Sequence, residues 1–201
     1  MHKFLTTLAT AASLCCVPSH LQAQTIAQIV VSASGGATAG QFDNDRNDYD
    51  ILLTALTAAD LVDVVADPNA SLTVFAPNDR AFIRLARDLG YSGNDEAAAW
   101  DFLVQALTGL GNGNPIPVLT DVLLYHVAPQ EISAFQVFLR SLFGLRIPTA
   151  LPGATIRPFF FVLIDNEPDL QNPFLTRPIN LMADNGIVHG VTRVLIPVDL
   201  P

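Results

Sequence analysis

LTVFAPNDRAFIRLARDLG, residues 72–90, decides the fold. Leu72 to Phe75 reads as a short buried strand, with β-branched Thr73 and Val74 and aromatic Phe75. Pro77 breaks it. Asn78 is a good N-cap, and Asp79 suits the positive end of a helix. Phe82, Leu85, Ala86 and Leu89 recur at helical spacing, and Gly90 closes the helix. A strand therefore runs straight into an amphipathic helix.

The pattern extends in both directions. Asp95 to Leu110 reads as a second helix with Ala99, Phe102, Leu103, Ala106 and Leu107 inward, followed by a GLGNGNP loop. Upstream, the Asp/Asn-rich QFDNDRNDYDILL (41–53) runs into a helix with Leu52, Leu56 and Ala59 on one face. Thr25 to Ser32 is a strand or a short helix. Downstream, the spacing predicts a strand over 123–127 and a helix from Ile132 to about Leu142. LRIPTALPG and ATIRPFFFVLI read as strands, with prolines pushing them to edges or bends. PINLMADNGIVHGVTRVLIP (178–197) reads as two strands around an Asn185-Gly186 turn. Helices first and strands later predict an α+β domain with a largely antiparallel sheet.

Composition narrows the function. Residues 1–23 carry Lys3, an apolar run from Phe4 to Val17 and a Leu21-Gln22-Ala23 cleavage site, which together read as a secretory signal peptide. Cys15 and Cys16 lie inside it. A lipoprotein reading there is poor, because no leucine stands three positions ahead of either cysteine. The remaining chain, 24–201, has no cysteine and is read as one domain held by its own core. The single lysine leaves with the leader, so nineteen acids face nine arginines. No basic patch is available, which argues against nucleic acid and against an anionic membrane surface as partners. The C-terminal VLIPVDLP offers no apolar tail, so no transmembrane anchor is expected there.

Catalytic candidates are few. Beyond the leader the histidines are His126 and His189, and no serine sits in a G-x-S-x-G elbow, so no enzyme is expected. Two distant histidines make no zinc site. Asp43, Asp45 and Asn47 alternate like the start of a calcium loop. The sixth position, however, is Asp48 and the twelfth is Thr54, where glycine and glutamate belong. A solvated polar turn is the plainer reading, and neither metal nor cofactor is expected.

Four pieces taken in order carry a family resemblance: TVFAPNDRAF (73–82), LLYHVAP (123–129), the β-rich stretch after it, and NGIVHGVTRVLIP (185–197). Together they resemble a fasciclin domain. Thr73, Phe75, Ala76, Pro77, Asn78 and Phe82 match its first signature. Asn185, Gly186, His189 and Pro197 match its last. Gly190 and Thr192 depart from that last pattern, where a β-branched residue and an acid are usual. The resemblance implies two small sheets set as a wedge with helices on one side. It implies a secreted module, extracellular or periplasmic, that contacts a cell-surface or matrix protein or glycan. In matrix relatives the tyrosine–histidine motif is an integrin contact, which here names Leu124, Tyr125, His126 and Val127. Some relatives carry carotenoids or other apolar molecules, the alternative role. Phe159, Phe160 and Phe161 are the apolar residues that would hold one, although most large apolar side chains are core. Alternation puts Phe159 and Phe161 on one face and Phe160 on the other.

Overall fold

A computed structural model describes residues 24–200 of the chain. The leader reading at residues 1–23 lies outside the described residues. The element order is α1 (Ile26–Ala33), α2 (Asp50–Ala58), α3 (Val62–Ala66), β1 (Leu72–Pro77), α4 (Asp79–Asp88), α5 (Glu96–Leu110) and α6 (Pro115–Tyr125). It continues with β2 (Val127–Ala128), α7 (Ala134–Leu142), β3 (Ile147–Pro148), β4 (Thr155–Phe159), β5 (Val162–Ile164), β6 (Leu175–Ala183) and β7 (Gly186–Val191). No described helix is long and apolar enough to cross a membrane.

A four-stranded sheet in the order β2-β1-β7-β6 lies at the centre, beside a three-stranded sheet β3-β4-β5. The fold is thus α+β with two small sheets. All pairings are antiparallel except the central one, β1 with β7, which is parallel from Leu72–Gly186 to Pro77–Val191. Strand alternation in β1 divides the core. Val74 and Ala76 join α1, α2, α4, α5 and α6 in one cluster. Phe75 joins Tyr125, Val137, Ile156 and Leu163 in a second, between the sheets and under α7. Each fully buried side chain of this size contributes roughly 1.5–3 kcal/mol of burial. The central strands are therefore covered on both faces, and every residue of β1 and β7 is buried, while the edge strand β6 is largely exposed.

Local chemistry sets the helix starts. Asn78 Oδ1 accepts the Ala81 amide at the start of α4, as its position predicts. Thr25 with Gln28 and Ser133 with Gln136 form capping boxes on α1 and α7.

Three expectations need correction. Residues 123–125 close helix α6, and only Val127–Ala128 is strand. α6 starts at Pro115 with Asn114 as its cap, so the loop is only four residues long, 111–114. Proline costs nothing at the first helical position, where its missing N–H has no partner anyway. Next, Phe160 and Phe161 form the turn between β4 and β5, with Phe160 at φ 53°. Alternation stops there, and Phe159, Phe160 and Phe161 are all exposed, at 53%, 49% and 46%. They are not core. Finally, Ala183 pairs with Gly186, so the β6–β7 turn is Asp184–Asn185 and Gly186 already belongs to the strand.

Candidate functional site

The tyrosine–histidine segment is inside the protein. Tyr125 is fully buried, and its hydroxyl donates to the Thr155 carbonyl at 3.2 Å. His126 is the C-cap of α6. Its Nδ1 lies 2.7 Å from the Val122 carbonyl, and its Nε2 accepts the Leu195 amide at 2.9 Å. Those partners define a neutral ring with the proton on Nδ1. Burial drives its pKa down to about 4. Val127 is buried and Leu124 is half-buried.

His189 is equally enclosed. Its Nε2 is 2.8 Å from the Ile132 carbonyl, and its Nδ1 accepts the Asn180 amide at 3.2 Å. Burial lowers its pKa as well. Its ring stacks on Phe75, with centroids 5.9 Å apart. Among the described residues, the hydrogen-bond partners of both histidine rings are backbone groups.

The signature residues are structural fixings. The Thr73 hydroxyl donates to the Gln130 carbonyl and accepts the Ile132 amide, both at 2.7 Å. Ala76, Pro77 and Phe82 are buried. The Asn185 side chain accepts the Ile26 amide and donates to the Val65 and Asp67 carbonyls. The Pro197 carbonyl accepts from Asn166 Nδ2. Gly190 lies beside the irregular register of β6 between Thr176 and Leu181, and a Cβ there would meet the Arg177 carbonyl at 2.6 Å. That approach explains why no β-branched residue stands at 190. Thr192 uses its hydroxyl to accept the Phe174 amide.

The exposed apolar surface lies elsewhere. The β4–β5 turn docks on α7: the Phe160 amide donates to Ser141 Oγ at 2.7 Å, and the Phe138 ring is 6.0 Å from both Phe160 and Phe161. Phe159 meets Phe160 edge-on at 5.1 Å. Phe135 and Phe143, at the two ends of α7, are the most open, at 66% and 73%, with Leu142 and Phe174 also exposed. Sequence reasoning missed Phe135 and Phe143. The signal was present in AFQVFLRSLFGL, which is apolar over more of the helix circumference than one buried face needs.

A second apolar feature is a crevice between α4, α5, α6 and the C-terminal segment, lined by Phe82, Trp100, Leu107, Leu119, Ile196 and Leu200 among others. Its free volume is about 50 Å³. Phe159 to Phe161 do not line it.

The third feature is acidic. Asp48, Asp79 and Glu96 bring carboxylate oxygens within 4.8 Å of one another, and so do Asp43, Asp50 and Glu96. Burial, then the Asp48 side chain, pushes Asp79 upward. Burial, then the neighbouring aspartates, pushes Glu96 up to about 7. Asp45 and Asn47 stand apart: Asp45 accepts the Asn47 amide, and Asp43 the Asp45 amide, in a local exposed turn.

The chain belongs to the fasciclin family: the model of the fasciclin domain matches residues 47–197. An uncharacterized protein of Synechocystis sp. (strain ATCC 27184 / PCC 6803 / Kazusa) is 29% identical over 148 residues, covering 74% of this chain and 89% of the relative. The FAS1 domain pair of the insect cell adhesion molecule Fasciclin I has a similar fold, with a TM-score of 0.58 at 14% identity. That likeness covers 86% of this chain and 51% of the pair, so the chain spans about half the pair's length.

Proposed function

We propose that this fasciclin domain is a secreted, non-catalytic interaction module that docks a cell-surface or matrix protein or glycan through its α7/β4–β5 aromatic surface. The observation that carries this is the set of open phenylalanines anchored on a rigid base. Phe160 is held in a left-handed backbone conformation that an aromatic residue rarely adopts, and its amide is tied to Ser141. Strain kept at an exposed aromatic points to use of that side chain. Clustered exposed apolar side chains mark contact sites, and large rigid aromatics dominate such contacts. Leu124, Tyr125, His126 and Val127 support the surface from within, since three of the four are buried.

The carrier role fits less well. A site for a drug-sized molecule measures roughly 300–1,000 Å³, and the apolar crevice offers about 50 Å³. A carotenoid would have to displace the Val198–Leu200 segment.

The test is attachment of beads coated with the full secreted chain to the surface of the producing cells. Phe143→Ser with Phe160→Asn is expected to abolish attachment at an unchanged melting temperature, while Tyr125→Phe leaves attachment intact. Equal attachment by the double variant overturns the reading. A visible absorbance band in native protein would favour the carrier.

A further inference from the structure

Three helices begin at one place. α2 starts at Asp50, α4 at Asp79 and α5 at Glu96, and the loop 43–48 is laid across all three. The Asn44 amide donates to Glu96 Oε2 at 2.8 Å, and Asn44 Oδ1 accepts the Glu96 amide at 3.1 Å. The Asp79 amide donates to the Asp48 carbonyl and the Arg80 amide to the Arg46 carbonyl. The Asp43 amide donates to Asp50 Oδ2.

Helix capping accounts for one of the acids. Asp79 Oδ2 and Oδ1 accept the Asp50 and Ile51 amides at 3.1 and 2.9 Å, a good use of a carboxylate at a positive helix end. Capping does not account for the others. Asp50 and Glu96 are 1% and 0% exposed, yet among the described residues Asp50 Oδ1 and Glu96 Oε1 have no hydrogen-bond donor, and neither has the buried Asp48 Oδ1. A buried charge is retained only when paired or coordinating a metal. The nearby arginines do not pair with them: Arg46 donates to Asn94 and Arg80 to Asn47. Among the described residues, the ion pair joins Arg193 to Asp88, elsewhere in the fold.

We propose that this cluster binds calcium, with Glu96 as the shared ligand between Asp43 and Asp50 on one side and Asp48 and Asp79 on the other. The donor set is oxygen only, which suits a hard cation and not zinc or copper. Calcium–oxygen distances of about 2.3–2.6 Å put the oxygens of one shell within about 5 Å of each other. Within each trio, Asp43/Asp50/Glu96 and Asp48/Asp79/Glu96, the carboxylate oxygens lie within 4.8 Å of one another. A polar loop supplying irregular geometry favours calcium over magnesium, which demands a near-ideal octahedron. The ion enters past Asp43, the exposed member, and satisfies the oxygens that no donor reaches. Bound there, it clamps loop 43–48 to the starts of three helices. The alternating Asp45 and Asn47 remain turn residues outside the site. This inference is independent of the partner-docking reading.

The test uses the full secreted chain stripped with EGTA. Calcium in the millimolar range is expected to raise the melting temperature by several degrees, and calorimetry should show saturable binding. Glu96→Gln should weaken that binding by about 10–100-fold or more and abolish the thermal shift. Asp45→Asn should leave both unchanged. Should Glu96→Gln fail to fold, Asp48→Asn takes its place. Wild-type terbium luminescence, excited through Trp100 one turn along α5 from Glu96, should be displaced by calcium. No calcium shift in the wild type, an equal shift in the Glu96 or Asp48 variant, an equal shift with magnesium alone, or no displaceable terbium signal each overturns the proposal. In the first case the acids hold shared protons and not a metal.

Discussion

His126 Nε2 accepts the Leu195 amide at 2.9 Å, which fastens the C-terminal end of α6 to the segment after β7. The same ring reaches the Val122 carbonyl through Nδ1, so one neutral histidine satisfies two buried backbone groups. His126→Leu leaves both groups unpaired and is expected to cost about 1–3 kcal/mol at neutral pH. The pH dependence has a definite sign. The folded pKa is depressed to about 4 from the ordinary 6.5, so the stabilisation is complete above the ordinary value. It is lost as pH falls through the folded one, up to about 3 kcal/mol in all. The penalty of His126→Leu should therefore shrink between neutral and mildly acidic pH, as read by urea unfolding of both proteins. A penalty independent of pH would mean that the ring titrates normally.

Gly186 and Leu72 meet backbone to backbone where β1 and β7 run parallel. A Cβ on Gly186 would stand 2.0 Å from the Leu72 carbonyl oxygen, and the residue adopts φ +150°. Clash and conformational strain add, so Gly186→Ala should cost about 3 kcal/mol or more. Gly144 is a fair comparison: φ is +65°, with nothing within 4 Å of its Cβ position. Gly144→Ala should cost only about 1 kcal/mol, the left-handed penalty alone. Similar losses at the two sites would remove the close-approach explanation for Gly186.

Local signals in the sequence located what local chemistry controls. The Asn78 cap and the spacing of Phe82, Ala86 and Leu89 suffice for α4, because cap and face lie within one short window. The strand expected over 123–127 holds only at Val127, because LLYHV is a short apolar run, and such runs do not separate helix from strand by periodicity. What decides it is Pro115 and Pro117 in the first turn of α6, where proline is tolerated and not a breaker. The Phe160 turn gave no warning, since it lacks the glycine or asparagine such a turn usually carries. The acidic cluster was half visible. Asp43 and Asp45 drew attention by spacing, yet the residues that meet come from positions 43–50, 79 and 96, and only the packing of three helices joins them.

Asn185 shows how much one turn residue can hold. Its side chain accepts the Ile26 amide at 2.9 Å and donates to the Val65 and Asp67 carbonyls at 2.9 and 3.0 Å, linking α1, α3 and the β6–β7 turn. Asn185→Ala should cost about 3 kcal/mol, since several buried groups lose their partner together. Asn185→Asp is the sharper probe. It keeps the acceptor for Ile26 but turns a carboxylate oxygen toward two carbonyls. At neutral pH it should be at least as destabilising as alanine, and it should recover on acidification as the carboxyl protonates. Chemical denaturation at two pH values reads both effects, and loss of α1 should appear as early proteolysis between residues 26 and 33. An aspartate variant as stable as wild type would show that the two donor bonds contribute little.

Phe160 separates stability from binding. Its left-handed backbone, at φ 53°, costs an aromatic residue about 1–2 kcal/mol that asparagine largely avoids. Its ring contacts with Phe138 and Phe159 return about 0.5–1.5 kcal/mol each. The two effects nearly cancel, so Phe160→Asn should fold with stability within about 1 kcal/mol of wild type. The proposed docking has no such compensation, because the ring is half open beside Phe138 and Phe159. Truncating a central aromatic anchor at an interface typically costs about 2 kcal/mol or more, roughly 30-fold in affinity. The measurement pairs a melting curve with surface-attachment titrations of the two proteins. A large loss of stability would make Phe160 a packing residue, and unchanged stability with unchanged attachment would move the contact surface away from this turn.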